Sequence, residues 1–252
     1  MILGLDFPPI SHVTEWPTWF GGDTFGVNKV IFFMWVSAAL VFGLMFFAGR
    51  QQALVPRGVQ NAAEATVDFV QDNIVLQTIG PDGLGYTPFL LTLFTFVLTC
   101  NIWGIVPGVQ MPVNGRIALP AFMAILVWVI YLVVGITKQG PFNYFKNALV
   151  PPGVPWFALP LVSLIELAQI LVVRPLSLAV RLFANMIAGH LLLVSFAVIT
   201  QALFEATVVG AALPLALLIA LSGFELLVAF LQAYIFTILA AVYIGSSLHP
   251  EH

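Results

Sequence analysis

The chain has 252 residues, 61% of them hydrophobic and only 8% charged, with a formal net charge of −3. Soluble domains carry about a quarter charged residues, so an ordinary soluble domain is excluded, and no Lys/Arg cluster exists to meet a nucleic acid. Continuous Leu/Ile/Val/Phe runs without a period of two exclude a membrane β-barrel, leaving an all-α integral membrane protein whose spans need about 20 apolar residues each.

Residues 1–27 are broken by Pro8, Pro9, Pro17, Gly21 and Gly22 and carry Trp16, Trp19 and Phe20, an interfacial composition that predicts an external amphiphilic segment. No basic region precedes the first apolar run, the first lysine being Lys29, so no cleavable signal peptide is expected. The first span is predicted over 28–48. Arg50 and Arg57 follow it and place that end on the cytoplasmic side.

Between 57 and 78 the pattern becomes amphipathic. Val59, Ala63, Val67, Val70 and Ile74 recur at helical spacing opposite Gln60, Glu64, Asp68, Gln71 and Asp72. An interfacial helix is predicted, and its acidic rather than basic polar face points to protein contacts as well as lipid. A helical hairpin is expected over 86–137, with spans of about 86–106 and 117–137. The loop after it holds Lys138 and Lys146 and the loop inside it Arg116, which agrees with the orientation set by the first span.

The segment 155–248 contains two apolar stretches, each longer than forty residues. No polar loop divides either one, and Pro160, Pro175, Gly189 and Pro214 read as kinks. Two very long, steeply tilted helices joined near Glu205 are therefore predicted. The total is five crossings in a single membrane domain, with the ion pathway in the last two.

Charges at membrane depth cost roughly 2.5 to 3.5 kcal/mol even on insertion scales, so each is a functional candidate. The long segments contain Glu166, Arg174, Arg181, His190, Glu225 and, at the expected turn, Glu205, with Asn185, Gln201 and Gln232 as neutral companions. Helical spacing puts Arg174, Ser177, Arg181, Asn185 and Ala188 on one stripe and Ser222, Glu225, Ala229 and Gln232 on another. Arg174 reads as an end anchor. Arg181 lies deeper, and a guanidinium that never deprotonates is a fixed charge rather than a relay.

His190 and Glu225 can both titrate and read as a proton relay; helix packing and a single axial haem ligation are the alternatives for His190. Glu166 is a candidate for an inner access path. The lone Cys100 reads as a small buried residue, and His12, His249 and His252 lie outside the apolar runs, so no metal or cofactor is expected. An ion-coupled transporter is the main rival reading, although no inverted repeat is evident. A structural subunit of a redox complex would leave the two titratable stripes unexplained.

The segment from Arg174 through Arg181 and Asn185 to His190, reading RPLSLAVRLFANMIAGH, resembles the signature helix of subunit a of F-type ATP synthases. Glu225, the run Leu231 to Phe236 and the pair Val242 and Tyr243 are similar to that family's last helix. The resemblance implies that Arg181 is the essential arginine facing a rotating ring of c subunits. It also implies that Asn185 and Gln232 flank it and that His190 with Glu225 line a half-channel from the outer side. Glu166 stands one residue further from the arginine than the family's glutamate.

Peripheral-stalk b-type subunits, the remaining synthase subunits and the bilayer are the other implied partners. Catalysis would belong to those subunits, this chain being a non-catalytic stator in a bacterial plasma membrane or, alternatively, a mitochondrial inner membrane.

Overall fold

The computed structural model describes residues 18–20, 26–50, 58–106, 109, 113–150 and 154–248, the side chains at 18, 20, 205, 206, 208 and 209 excepted. Most of the expected external segment, Arg57, His12, His249 and His252 lie outside them, as does the side chain of Glu205.

Thr18–Phe20 (β1) pairs antiparallel with Val27–Asn28 (β2), Thr18 lying opposite Asn28. Asn28 caps the next helix. Its Oδ1 accepts the N–H of Ile31 at 3.0 Å, satisfying one of the donors that a helix N-terminus leaves open. Helix α1 (Lys29–Arg50) buries the stripe Val30, Ser37 and Val41 and exposes Phe32, Trp35, Phe42 and Phe47, as a span with one flank in protein and the rest in lipid should.

Helix α2 (Val59–Val70) runs through a π-helical turn, Gln71–Val75, into Leu76–Thr78. Ala63, Val70 and Ile74 are buried while Glu64, Asp68 and Asp72 are exposed, so this helix has the two unlike faces read from its spacing. Two neighbours depart from the pattern: Val59, placed on the apolar face, is exposed at the start of the helix, and Gln60 is buried on the apolar side and donates from Nε2 to Glu64 Oε1 at 2.7 Å.

The chain reverses at Gly80, whose φ of 84° is open to glycine without strain, and a 3-10 turn, Pro81–Tyr86, leads into α3 (Thr87–Ile102). Helix α4 (Ala118–Gln139) ends at Gly140, with φ 79°, and α5 (Pro141–Leu149) starts at once. The sequence predicts a loop where α5 lies. The helix is too short to show in a hydropathy profile and is secured by Tyr144, which lies where a Cβ on Gly135 of α4 would have to be.

Helix α6 (Leu159–Ala168) continues through a second π-helical turn, Gln169–Val173, into α7 (Arg174–Ala206), and α8 (Val208–Leu248) follows. Pro160 sits in the first turn of α6 and therefore starts a helix instead of kinking one. Among the described residues five helices are long and apolar enough to cross a membrane, the last two covering 46 and 39 residues. At ~1.5 Å per residue both exceed a hydrocarbon core of about 30 Å and can remain within it only obliquely.

The described residues pack as two compact units. One draws on Met1–Gly43, Thr95–Arg116 and Phe183–Ala233, and the other on Leu44–Phe94, Ile117–Leu182 and Tyr234–His252. The core of the first includes Val97, Cys100, Met186 and Ala233; that of the second includes Leu90, Tyr131, Leu182, Phe236 and Ile244.

Candidate functional site

In the first unit, the second half of α7 and the first half of α8 meet along a line of small and polar residues. Asn185 donates from Nδ2 to Gln232 Oε1 at 3.1 Å. Gln232 is only 5% exposed, and its Nε2 has no hydrogen bond among the described residues. Glu225 and His190 are each 7% exposed. The Glu225 carboxyl is seated against Gly189, the neighbour of His190, where an added Cβ would collide with the carboxyl carbon and both oxygens.

Gly189 is therefore read as a seat for the carboxylate and not as a kink, since α7 runs unbroken through it. The Nδ1 of His190 is buried and makes no hydrogen bond to a described residue.

Gly189→Ala follows as a test of this seat. Alanine is the better helix former by about 0.8–1.0 kcal/mol, but overpacking costs about 1–3 kcal/mol and can be relieved by pushing the carboxyl group aside. Normal abundance of the chain in the membrane is expected, with a displaced Glu225 carboxyl that reacts faster with a hydrophobic carbodiimide; unchanged reactivity would show that Gly189 does not seat it.

Two buried amides that sequence reasoning did not single out join this line. Asn101, at the end of α3, donates to the carbonyl of Ala229 at 3.3 Å, and Asn114 donates to Asn101 Oδ1 at 2.7 Å. Ala229 lies on α8 between Glu225 and Gln232, so the amides extend the same buried polar stripe. The signal that could have found Asn101 is a single amide closing an apolar run. Nothing in the spacing points to Asn114 as its partner.

The second unit holds the first half of α7. Ser177 and Arg181 are exposed, and Arg181 has neither a hydrogen bond nor an ion pair with a described residue. Further along the helix Ala184 and Ala188 are exposed too. At about 100° per residue these four positions fall within ~60° of arc, whereas Asn185 lies ~40° beyond Arg181 at its edge and turns inward.

The single stripe expected from spacing thus divides into an outward cationic face of small residues and an inward amide. Arg174 also leaves the stripe. It is half-buried, with its guanidinium carbon 5.2 Å from the ring centre of Tyr243 and 6.0 Å from that of Tyr131. Glu166 lies half-buried on α6. Among the described residues no group of three or more His, Cys, Asp or Glu side chains is placed to hold a metal ion.

Among the described residues five long apolar helices, two of which carry a buried imidazole, a buried carboxyl group and an exposed guanidinium, define the class: an integral membrane protein with ionisable groups inside its spans. Residues 31–245 match the family described as ATP synthase A chain. A protein of Frankia alni named ATP synthase subunit a is 42% identical over 97% of this chain and 87% of its own length. Proteins of the same name from Nitrobacter hamburgensis and Rhizobium etli are 43% and 42% identical, with coverage of 92% of both chains and 91% of both chains respectively. The chain belongs to the ATP synthase subunit a family.

Proposed function

We propose that this chain is the proton-translocating, non-catalytic stator subunit of an F-type ATP synthase in a bacterial plasma membrane. It provides two offset half-channels against a ring of c subunits, alongside b-type stalk subunits and the catalytic part of the complex. The observation that carries this reading is the exposed Arg181 amid Ser177, Ala184 and Ala188 on a helix long enough to cross the membrane. A guanidinium stays charged, and a charge facing lipid is costly. A surface so composed calls for another protein that brings an acid.

On that reading a protonated ring carboxyl crosses the lipid-facing arc as a neutral group and ionises on reaching Arg181. Glu225 and His190, with Asn185 and Gln232 nearby on the same helices, form the outer half-channel; the buried His190 Nδ1 and Gln232 Nε2, which have no hydrogen bond to a described residue, leave hydrogen-bonding capacity for water. Glu166 serves the inner half-channel. Arg181 keeps the two from joining, so a proton must travel round the ring, and a potential of 100 mV contributes about 2.3 kcal/mol per charge to the rotation.

The test is proximity in the assembled complex. Ala184→Cys and Ala188→Cys should form disulfides with cysteines placed next to the ring carboxylate, and Leu182→Cys, which is fully buried, should not. Reaction of the first two with a lipid-soluble maleimide, without any cross-link to the ring, would remove the reading.

A further inference from the structure

The helix that carries Arg181 begins with an irregularity that has a specific cause. In the π-helical turn Gln169–Val173 the N–H of Arg174 is given to the carbonyl of Gln169, five residues back. In that register the carbonyl of Ile170 would receive the N–H of residue 175. That residue is Pro175, which has none. Ile170 is only 3% exposed, so its carbonyl is an acceptor that neither the helix nor bulk water serves.

Two side chains of α4 fill the gap. Trp128 donates from Nε1 to the Ile170 carbonyl at 2.9 Å, and Tyr131 donates from its hydroxyl to the same oxygen at 2.7 Å. A carbonyl oxygen has two lone pairs, and both are used. The two donors stand three residues apart on α4 and converge on one atom, so they hold the turn both along and around its axis. The Tyr131 ring also faces the Arg174 guanidinium. Arg181 follows within two helical turns, in the same compact unit.

We propose that Trp128 and Tyr131 replace the main-chain donor that Pro175 lacks and so set the height and rotation of the helix segment presenting Arg181. They are positioning residues for proton transfer. The inference rests on the channel reading above.

The test is a cycle in the complete synthase in inverted membrane vesicles. Trp128→Phe with Tyr131→Phe keeps both rings and removes both donors, while Pro175→Ala restores a main-chain N–H within reach of Ile170. With Pro175 in place, the double substitution should lower proton-driven ATP synthesis per assembled complex by about tenfold. In the Pro175→Ala background, the same double substitution should lower it by less than about twofold relative to Pro175→Ala alone. A residue that merely fills space would lower it equally in the two backgrounds.

Equal losses in both, or no loss in either, overturn the inference. Should the double variant fail to assemble, Tyr131→Phe alone is read in the same two backgrounds with the same criterion. An Arg181→Ala complex measured alongside separates the two claims. If it synthesises ATP normally, the channel reading has failed; if it is inactive while the donor variants behave as wild type, only the positioning role has failed.

Discussion

Replacing Arg181 with alanine is expected to bring proton-driven ATP synthesis down to background while the complex still assembles. Assembly should survive because the side chain is exposed and has no bond to a described residue, so truncation leaves no buried group unpaired. Function should not, because on the proposed reading the positive charge is what lets a ring carboxyl ionise at that point. On the same reading its removal should also let protons pass between the proposed half-channels without turning a ring, and passive conduction through vesicles depleted of the catalytic part tests this separately.

Arg181→Lys is a sharper version. Lysine keeps a charge but is a strongly hydrated point donor whose pKa falls readily on desolvation. Little recovery is expected, and full activity in the lysine variant would show that charge alone suffices.

Glu225→Gln should have the second largest effect. The amide has nearly the volume of the carboxyl group and can occupy the same place over Gly189, so packing is preserved. Only the ability to give up and regain a proton is lost. Positioned acid–base groups contribute typically 10²–10⁴-fold to proton transfer, and a fall of about that order in conduction is expected if Glu225 lies on the sole outer route. His190→Ala should act through the same route, so the double variant should conduct no worse than the slower single one. Additive losses would place the two residues on separate paths, and wild-type conduction in Glu225→Gln would take the carboxyl out of the relay altogether.

Asn185 and Gln232 illustrate how burial sorts the polar residues. Their mutual hydrogen bond at 3.1 Å ties α7 to α8 within one unit, and neither can release a proton at ordinary pH. Substituting either is expected to disturb the geometry around the titratable pair and not to remove a relay step.

The membrane itself explains why so much was readable from residues alone. A span must be apolar for about 20 residues and must satisfy its own backbone, so runs of Leu, Ile, Val and Phe identify helices without any knowledge of contacts. The two long helices were legible because no polar break divides 159–204 or 210–248. Arg181, His190 and Glu225 stood out because charge is scarce at that depth.

What the sequence determined by itself was therefore the class, the number of crossings and which ionisable residues the bilayer has to tolerate, all of them consequences of one-dimensional composition against a uniform apolar solvent. Only the tertiary structure decided which way those residues turn. A step of ~40° around α7 separates the exposed Arg181 from the inward Asn185. Asn114 finds Asn101 across a loop, and a proline's missing N–H at 175 is answered from α4 by Trp128 and Tyr131. Each of these depends on where hydrogen-bond donors and small side chains arrive from distant parts of the chain, and helical periodicity carries no record of that.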